Sequence, residues 1–223
     1  MNDISRKELA KAAQAKTAQK MELIKKPYYV KVLGKRIIIM PHVFAPQPDT
    51  ILLIRSVKIK KTDRILEPFA GSGTISIFLA QRASNVVATD INPNAIKNIR
   101  KNIQLYKLKN KMKAVRANIF PKKESSFNVI VANPPYTDNK AHNMSQRAFW
   151  DDQHKTVKSF FNAARKHLEP NGRIYCSWSN FADFGFFEEM VRSSNYKIRP
   201  ISNISEKWQV YRVYEITPIK KVK

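Results

Sequence analysis

The segment RILEPFAGSGT, residues 64–74, decides the fold, because an apolar run ends there in a loop with two glycines. Ile65–Pro68 predicts a buried strand, and Thr74–Arg82 has the apolar spacing of a helix. From this unit onward, strand-like and helix-like segments alternate along the chain. We therefore expect an α/β fold with a doubly wound, seven-stranded, mostly parallel sheet and an antiparallel terminal strand.

The remaining elements follow from apolar runs and from the residues that punctuate them. Asn92 and Pro93 are typical of a helix start, which predicts a helix from there to Leu105. A second helix is expected over Gln153–His167, closed by a turn at Pro170-Asn171-Gly172, and a third begins near Asp183. Strands are predicted at Asn85–Thr89, Lys113–Ala117, Phe127–Ala132, Arg173–Ser177, Tyr196–Ile201 and Trp208–Ile216.

Residues 1–26 differ in character from the rest and are predicted to form a basic N-terminal helical extension. A helix of this kind fits contact with a phosphate backbone and a solvated tail equally well. Residues 27–223 are expected to form the domain that carries the chemistry. This domain begins with a short hairpin, because Tyr28–Leu33 and Arg36–Met40 flank a turn that contains glycine.

The glycine loop at residues 67–74 suggests a site for a nucleoside-bearing cofactor. It lacks the G-x-x-x-x-G-K-[ST] pattern of a phosphate-binding loop, and Ser76 stands where a dinucleotide fingerprint has its third glycine. S-adenosylmethionine is the third candidate, since its methionine end packs on such a loop without pyrophosphate, and a purely structural turn would also explain the two glycines. Asp90 ends the next strand 19 residues after Gly71, the spacing at which a carboxylate binds ribose hydroxyls.

The tetrapeptide Asn133-Pro134-Pro135-Tyr136 follows the apolar run Val129–Ala132. The prolines end the strand and hold the backbone rigid. The side-chain oxygen of Asn133 and the carbonyl of Pro134 can accept both N–H bonds of a planar NH₂ group, on which Tyr136 can stack. The tetrapeptide therefore predicts chemistry on an exocyclic amine or amide, accelerated by positioning and oriented dipoles.

With these motifs the chain resembles the class I S-adenosylmethionine-dependent N-methyltransferases over roughly Pro41 to Ile216, and the resemblance implies their Rossmann-like fold. It also implies that Asp90 binds the ribose and that Asn133, Pro134, Pro135 and Tyr136 form the catalytic motif. Asn118 stands where the family often has Asp near the adenine, and Phe69 where many members have Gly. The residues implied to bind the cofactor are Glu67, Phe69, Ala70, Gly71, Gly73, Asp90, Asn118 and Ile119.

The resemblance indicates the type of reaction more clearly than it indicates the molecule that accepts the methyl group. The loop Pro68–Thr74 is similar to that of nucleic-acid amino-methyltransferases, which favours a base in ribosomal or transfer RNA. The segment Val43–Thr50 instead looks like that of the HemK-type glutamine methyltransferases, which implies a release factor as the alternative acceptor. The small-domain ribosomal RNA guanine-N2 methyltransferases share Asn118-Ile119-Phe120. A protein that keeps the fold without catalysis is a third class.

Charge and composition limit the classes of partner that we expect the chain to bind. The chain has 223 residues and a formal net charge of +24, with 41 Lys and Arg against 17 Asp and Glu. This charge favours a polyanion such as RNA, although genome composition can contribute to it. The single cysteine, Cys176, and the scattered histidines predict neither a disulfide framework nor a metal site. Without an apolar span or signal segment, we expect a cytoplasmic protein with no membrane partner.

A basic run and an aromatic segment each allow two interpretations. Lys107, Lys109, Lys111 and Lys113 fit phosphate contact and plain solvation equally well. Met144–Trp150 follows the tetrapeptide and fits either a base-stacking cover of the site or ordinary core packing.

Overall fold

The structure is a computed structural model that describes residues 3–122, 126–206 and 209–220. Trp208, predicted to open the last strand, lies outside the described residues. The helices are α1 (Asp3–Leu23), α2 (Pro48–Ser56), α3 (Thr74–Leu79), α4 (Pro93–Leu105), α5 (Lys155–Ala164) and α6 (Phe184–Ser193). The strands are β1 (Tyr28–Val32), β2 (Lys35–Ile39), β3 (Arg64–Glu67), β4 (Asn85–Asp90), β5 (Met112–Arg116), β6 (Phe127–Ala132), β7 (Leu168–Ser179), β8 (Tyr196–Glu206) and β9 (Gln209–Pro218).

The predicted sheet architecture is confirmed. Seven strands form one sheet in the order β5-β4-β3-β6-β7-β9-β8, and β1 and β2 form the expected hairpin. All neighbours from β5 to β7 are parallel, whereas β9 runs antiparallel to both β7 and β8. The final strand therefore inserts between β7 and β8 and leaves β8 at the sheet edge.

Each central strand is apolar on both faces because helices cover both sides of the sheet. Ile65 packs in one core with α2, α3 and α4, and its neighbour Leu66 packs in the other with α5 and α6. The same alternation continues in β6, where Val129 and Ile130 face opposite cores. Two cores thus hold the carboxyl ends of the strands in fixed relative positions.

Two sequence predictions miss local detail. The helix expected over Gln153–His167 is shorter, because α5 is flanked by 3-10 turns at Asp152–His154 and Arg165–His167. Its first turn is held by Asp151, whose carboxylate accepts from the amides of Thr156 and Val157. The Pro170-Asn171-Gly172 turn falls inside β7. There the pairing with β6 shifts between Leu168 and Arg173, so the intervening residues bulge out of the ladder.

The hairpin is attached to the domain through buried amides of α4. The Oδ1 of Asn102 accepts from the Ile38 amide at 2.9 Å, and its Nδ2 donates to the carbonyls of Ile38 and Ser72 at 3.0 Å each. Asn98 makes a parallel set of bonds to Ile38, Met40 and Ser72. These two side chains connect the hairpin, the helix and the glycine loop.

Helix α1 is buried along one side. Ala10, Gln14, Ala18 and Met21 recur at helical spacing, and all four are buried. Their helix contacts the turns at Gln146–Ala148 and Asn180–Ala182. Among the described helices, none combines the length and apolar character that a membrane crossing requires.

We expect Asn102→Ala to lower the free energy of unfolding by about 1 to 3 kcal/mol, because it leaves the partly buried Ile38 amide without its acceptor. Urea unfolding followed by circular dichroism measures the change. Gln104→Ala, on the exposed side of the same helix, is the matched control and should stay within about 0.5 kcal/mol of the wild type. An equal loss in both variants would show that these bonds do not anchor the hairpin.

Candidate active site

The carboxyl ends of β3, β4, β5 and β6 meet at one edge of the sheet, where the strand order reverses between β3 and β6. A cavity of about 420 Å³ opens at this edge, the usual ligand position in an open parallel sheet. It brings together Glu67, Phe69, Ala70, Gly71, Asp90, Asn118, Ile119, Asn133, Pro134, Pro135 and Tyr136. Gly73 is the one predicted site residue that does not line it.

Gly73 has a packing role instead. Its φ is +76°, and a Cβ there would lie 2.9 Å from Cγ1 of Ile99 on α4. The position therefore requires glycine so that the loop and α4 can approach closely. Phe69, in the same loop, also has a positive φ of 58°, which holds a non-glycine residue in a sparsely populated conformation.

Asp90 is fixed by two backbone amides. Its Oδ2 accepts from the Gly71 amide and its Oδ1 from the Asn92 amide, each at 2.8 Å. These bonds tie the end of β4 to the glycine loop. Burial raises the pKa of Asp90, and the amide bonds oppose that rise. Each carboxylate oxygen keeps a lone pair, so the side chain can still accept from two ligand hydroxyls.

The end of β5 contributes a strained residue to the cavity. Ile119 has a φ of 70°, which is unusual for a β-branched residue, and its carbonyl accepts from the hydroxyl of Thr89. Ile119 and Ile91 both line the cavity, and Asn118, which also lines it, is exposed. The two isoleucines give this end of the cavity an apolar lining suited to a flat ring.

Glu67 is a buried carboxyl on the floor of the cavity. Its Oε2 accepts from the Ser76 amide at 2.8 Å, and its side chain is 2% exposed. Burial raises the pKa of Glu67 to about 8, and the nearby Asp90 charge adds to the rise. A cationic ligand group placed beside Glu67 would favour its ionised form.

The Asn133 amide is held from two sides. Its Oδ1 accepts from the hydroxyl of Ser177 on β7 at 2.6 Å. On the other side, Asp49 at the start of α2 lies close enough to the Asn133 side chain for that amide to oppose the rise in the pKa of the buried Asp49 carboxyl. A carboxylate accepts only, so the Asn133 NH₂ points at Asp49 and the oxygen at Ser177. The oxygen keeps one lone pair for a donor in the cavity.

Asp49 also orients Tyr136. The Tyr136 hydroxyl donates to Oδ2 of Asp49 at 3.3 Å, and the Tyr136 ring packs against Trp178 and Phe181. Asp49 is 1% exposed. Burial raises the pKa of Asp49, and bonds from Thr50, Asn133 and Tyr136 oppose the rise. Burial and the Asp49 charge hold the pKa of Tyr136 well above its usual value.

The segment Met144–Trp150, after the tetrapeptide, lines the cavity, and its last residue, Trp150, both lines the cavity and packs in the interior. Phe149 lines the cavity and makes an edge contact with Phe44, ring centroid to ring centroid 5.2 Å. Trp150 is buried, and its Nε1 donates to Gln14 of α1 at 3.0 Å. Gln14 in turn donates to the Thr137 hydroxyl at 2.9 Å. Helix α1 therefore anchors the segment that closes over the site.

Sequence reasoning missed Asp49 and Ser177 as site residues. Asp49 follows a proline-rich stretch whose only signal was the resemblance of Val43–Thr50 to another family. Ser177 is one residue in an apolar strand and carries no local signal. Both reach Asn133 only because α2 and β7 pack beside the end of β6.

Comparison with known proteins shows which family the chain resembles. A family model described as "Methyltransferase small domain" matches residues 37–198. A putative protein N5-glutamine methyltransferase of Methanocaldococcus jannaschii is 32% identical over 108 residues, which are 48% of this chain and 54% of that protein. Ribosomal RNA small subunit methyltransferase C of Haemophilus influenzae is 24% identical over 177 residues, 74% of this chain and 50% of that protein.

Among solved structures, the T. thermophilus 16S rRNA N2 G1207 methyltransferase in complex with AdoMet and guanosine has a similar fold. The two structures superpose with a TM-score of 0.65 at 19% sequence identity. The superposition covers 86% of this chain and 50% of that chain. This chain spans about half the length of the curated relatives it matches.

We expect the stability of the wild type, relative to Glu67→Gln, to fall as pH rises from 4.5 to about 8. Across this window the carboxyl ionises in the unfolded chain but stays protonated in the folded one. Each unit of pKa difference corresponds to about 1.4 kcal/mol. Urea unfolding of both proteins, without ligand, measures the difference. Stability curves that run parallel through the window would contradict the raised pKa.

Proposed function

The chain belongs to the methyltransferase small domain family, and from this premise we propose that it transfers a methyl group from S-adenosylmethionine to a planar exocyclic NH₂ group. The proposed acceptor is a base in ribosomal or transfer RNA. The observation that carries the proposal is that the glycine loop, Asp90 and Asn133 all line one cavity.

The cavity suits the proposed cofactor in size and in chemistry. Its volume of about 420 Å³ lies within the usual range for small-molecule sites. Asp90 retains acceptors for the ribose hydroxyls, and Ile91 and Ile119 offer apolar contact to the adenine. Glu67 provides a buried carboxyl beside the place of the cationic methionine end. S-adenosylmethionine supplies a methyl group on a positively charged sulfur. Because ionised Glu67 is negatively charged, the cofactor should bind more tightly when Glu67 is ionised.

The chain's own residues position the acceptor. The remaining lone pair of Asn133 Oδ1 and the Pro134 carbonyl accept the two N–H bonds of the amine, which directs the nitrogen lone pair at the methyl group. A carbon–nitrogen bond forms as the carbon–sulfur bond breaks, and positive charge develops on the nitrogen. The buried Asp49 carboxylate and the oriented oxygens stabilise this charge. The methylated amine is acidic and releases its proton to water, so no strong base is required.

Charge and similarity support RNA as the acceptor. The net charge of +24 favours a polyanionic partner. The H. influenzae relative, which aligns with 74% of this chain, is named for its action on ribosomal RNA. An acceptor in the translation machinery would place the protein in the cytoplasm.

A glutamine amide on a translation release factor is the alternative acceptor. It has the same planar NH₂ group, and the M. jannaschii relative and several others are named as glutamine methyltransferases. The Asn133 site accommodates either group, so the acceptor must be identified by labelling.

The test uses tritiated methyl donor with total RNA and with protein extract, both from cells that lack the protein. We expect the label to be nuclease-sensitive and to migrate, after digestion, as a nucleoside methylated on its exocyclic nitrogen. Asp90→Ala is the control and should label neither fraction, because the ribose hydroxyls lose their acceptor. Label in protein alone would contradict an RNA acceptor, and label in neither fraction with the wild type would contradict the enzymatic activity.

A further inference from the structure

Negative charge is missing from the surface of a long continuous part of the chain. Between residues 24 and 122, all of which the structure describes, the acidic residues are Asp49, Asp63, Glu67 and Asp90. Three of them are at most 5% exposed, and Asp90 is half-buried in the cavity. The outer surface that this part contributes therefore carries Lys and Arg but no exposed acidic residue of its own. The other half of the molecule presents exposed acids such as Glu189 and Glu206.

The cations of this part gather on the hairpin and on α4. We call this surface the basic face and define it by Lys31, Lys35, Arg36, Lys97, Arg100 and Lys101. All are exposed except Lys35, which is half-buried. The run Lys107–Lys113 begins directly after α4 and extends the same charge toward β5.

Contacts between the hairpin and α4 make the basic face one continuous surface. Lys31 stands opposite Arg36 in the hairpin ladder, so two like charges are adjacent. The Tyr106 hydroxyl, at the end of α4, donates to the Arg36 carbonyl at 2.7 Å. The Lys35 ammonium lies 5.2 Å from the centre of the Tyr106 ring. On α4 itself, Lys97 and Lys101 are one turn apart on one side.

No acidic partner of these like charges is found in the part of the chain that the structure describes. Among the residues that the structure describes, the ion pairs lie elsewhere, and none includes a cation of the basic face. Unpaired like charges at close spacing repel one another and destabilise the hairpin and the helix. A bound anion with regularly spaced charges would remove that repulsion.

An exposed aromatic ring lies within the same surface. Tyr29 is 54% exposed, and the Arg36 guanidinium lies 4.2 Å from the centre of its ring. Aromatic rings and guanidinium planes among cations are typical of surfaces on which unpaired bases stack. Binding of an acidic protein does not require an exposed aromatic ring, so the ring favours RNA over an acidic protein as the partner.

One end of the basic face lies next to the cavity. Strand β2 is followed by His42 and Phe44, and α4 is preceded by Asn92; all three residues line the cavity. With 13 residues, α4 extends about 20 Å away from that point. A backbone bound along the helix and hairpin therefore passes the mouth of the site.

We propose that the basic face is the docking surface for the RNA backbone, and that it presents an unpaired base at the mouth of the cavity. This inference rests on the RNA acceptor proposed above. Phosphates bind along α4 and the hairpin, and Tyr29 stacks on a neighbouring base.

The test measures RNA binding without any methyl donor, by fluorescence anisotropy of a labelled RNA stem-loop over a range of salt concentrations. One variant replaces Lys31, Lys35 and Arg36 with Gln, and a second replaces Lys97, Arg100 and Lys101. A matched control replaces Lys166, Lys197 and Lys220, three exposed cations outside the basic face, with the same change in charge. Calorimetric binding of S-adenosylhomocysteine checks that the cavity is intact in each protein.

We expect each basic-face variant to bind RNA roughly tenfold or more weakly at low salt. The slope of log K against log salt should fall by about 2 to 3. The control should lose far less affinity, and cofactor-product binding should stay unchanged in all three. The α4 variant keeps the test valid if the hairpin variant fails to fold.

Equal losses in the control, or wild-type affinity in the α4 variant, would overturn the docking surface. Loss of protein labelling by the α4 variant with RNA affinity unchanged would assign the surface to an acidic protein and also overturn it. If the wild type binds RNA through the basic face but transfers no methyl group to it, the docking surface stands and the proposed activity fails.

Discussion

The orientation of one amide, that of Asn133, is the constraint on which the site depends. A primary amide presents a donor and an acceptor that differ little in shape, so its direction must be imposed by its neighbours. Ser177 can donate to the amide oxygen, and Asp49 can only accept from the amide nitrogen. Reversing the amide would place its oxygen against the Asp49 carboxylate. The packing of α2 and β7 against the end of β6 therefore fixes the direction in which the Asn133 oxygen can accept a further hydrogen bond.

The sheet topology brings the other participants to that point. Parallel strands end at a common edge, so the glycine loop, Asp90 and Asn133 converge although they are far apart in sequence. This part was predictable, because each motif follows an apolar run that could be recognised as a strand. The convergence of the predicted positions in one cavity, Gly73 excepted, follows from the alternation of strands and helices. The assignment of individual roles to them stays a prediction.

What the sequence did not predict depends on packing between distant elements. Ser177 and Asp49 act through contacts with Asn133 that no local pattern encodes. Gly73 matches a motif, yet its conformation serves the approach of Ile99 on α4. The bulge at Pro170-Asn171-Gly172 looks like an ordinary turn in sequence, and only the pairing of β6 with β7 draws it into a strand. The uneven distribution of charge likewise appears only when the acidic residues between positions 24 and 122 prove to be buried or to face the cavity.

We propose that the Asn133 amide positions the amine that receives the methyl group. The most direct measurement compares single-turnover methyl transfer by the wild type and by Asn133→Ala, with the affinity for S-adenosylhomocysteine determined in parallel. Asn128→Ala, at the opposite end of the same strand, serves as the control. We expect Asn133→Ala to lose about 10²- to 10³-fold in rate, with its affinity for the cofactor product little changed. Methyl transfer by Asn133→Ala at the wild-type rate would contradict it.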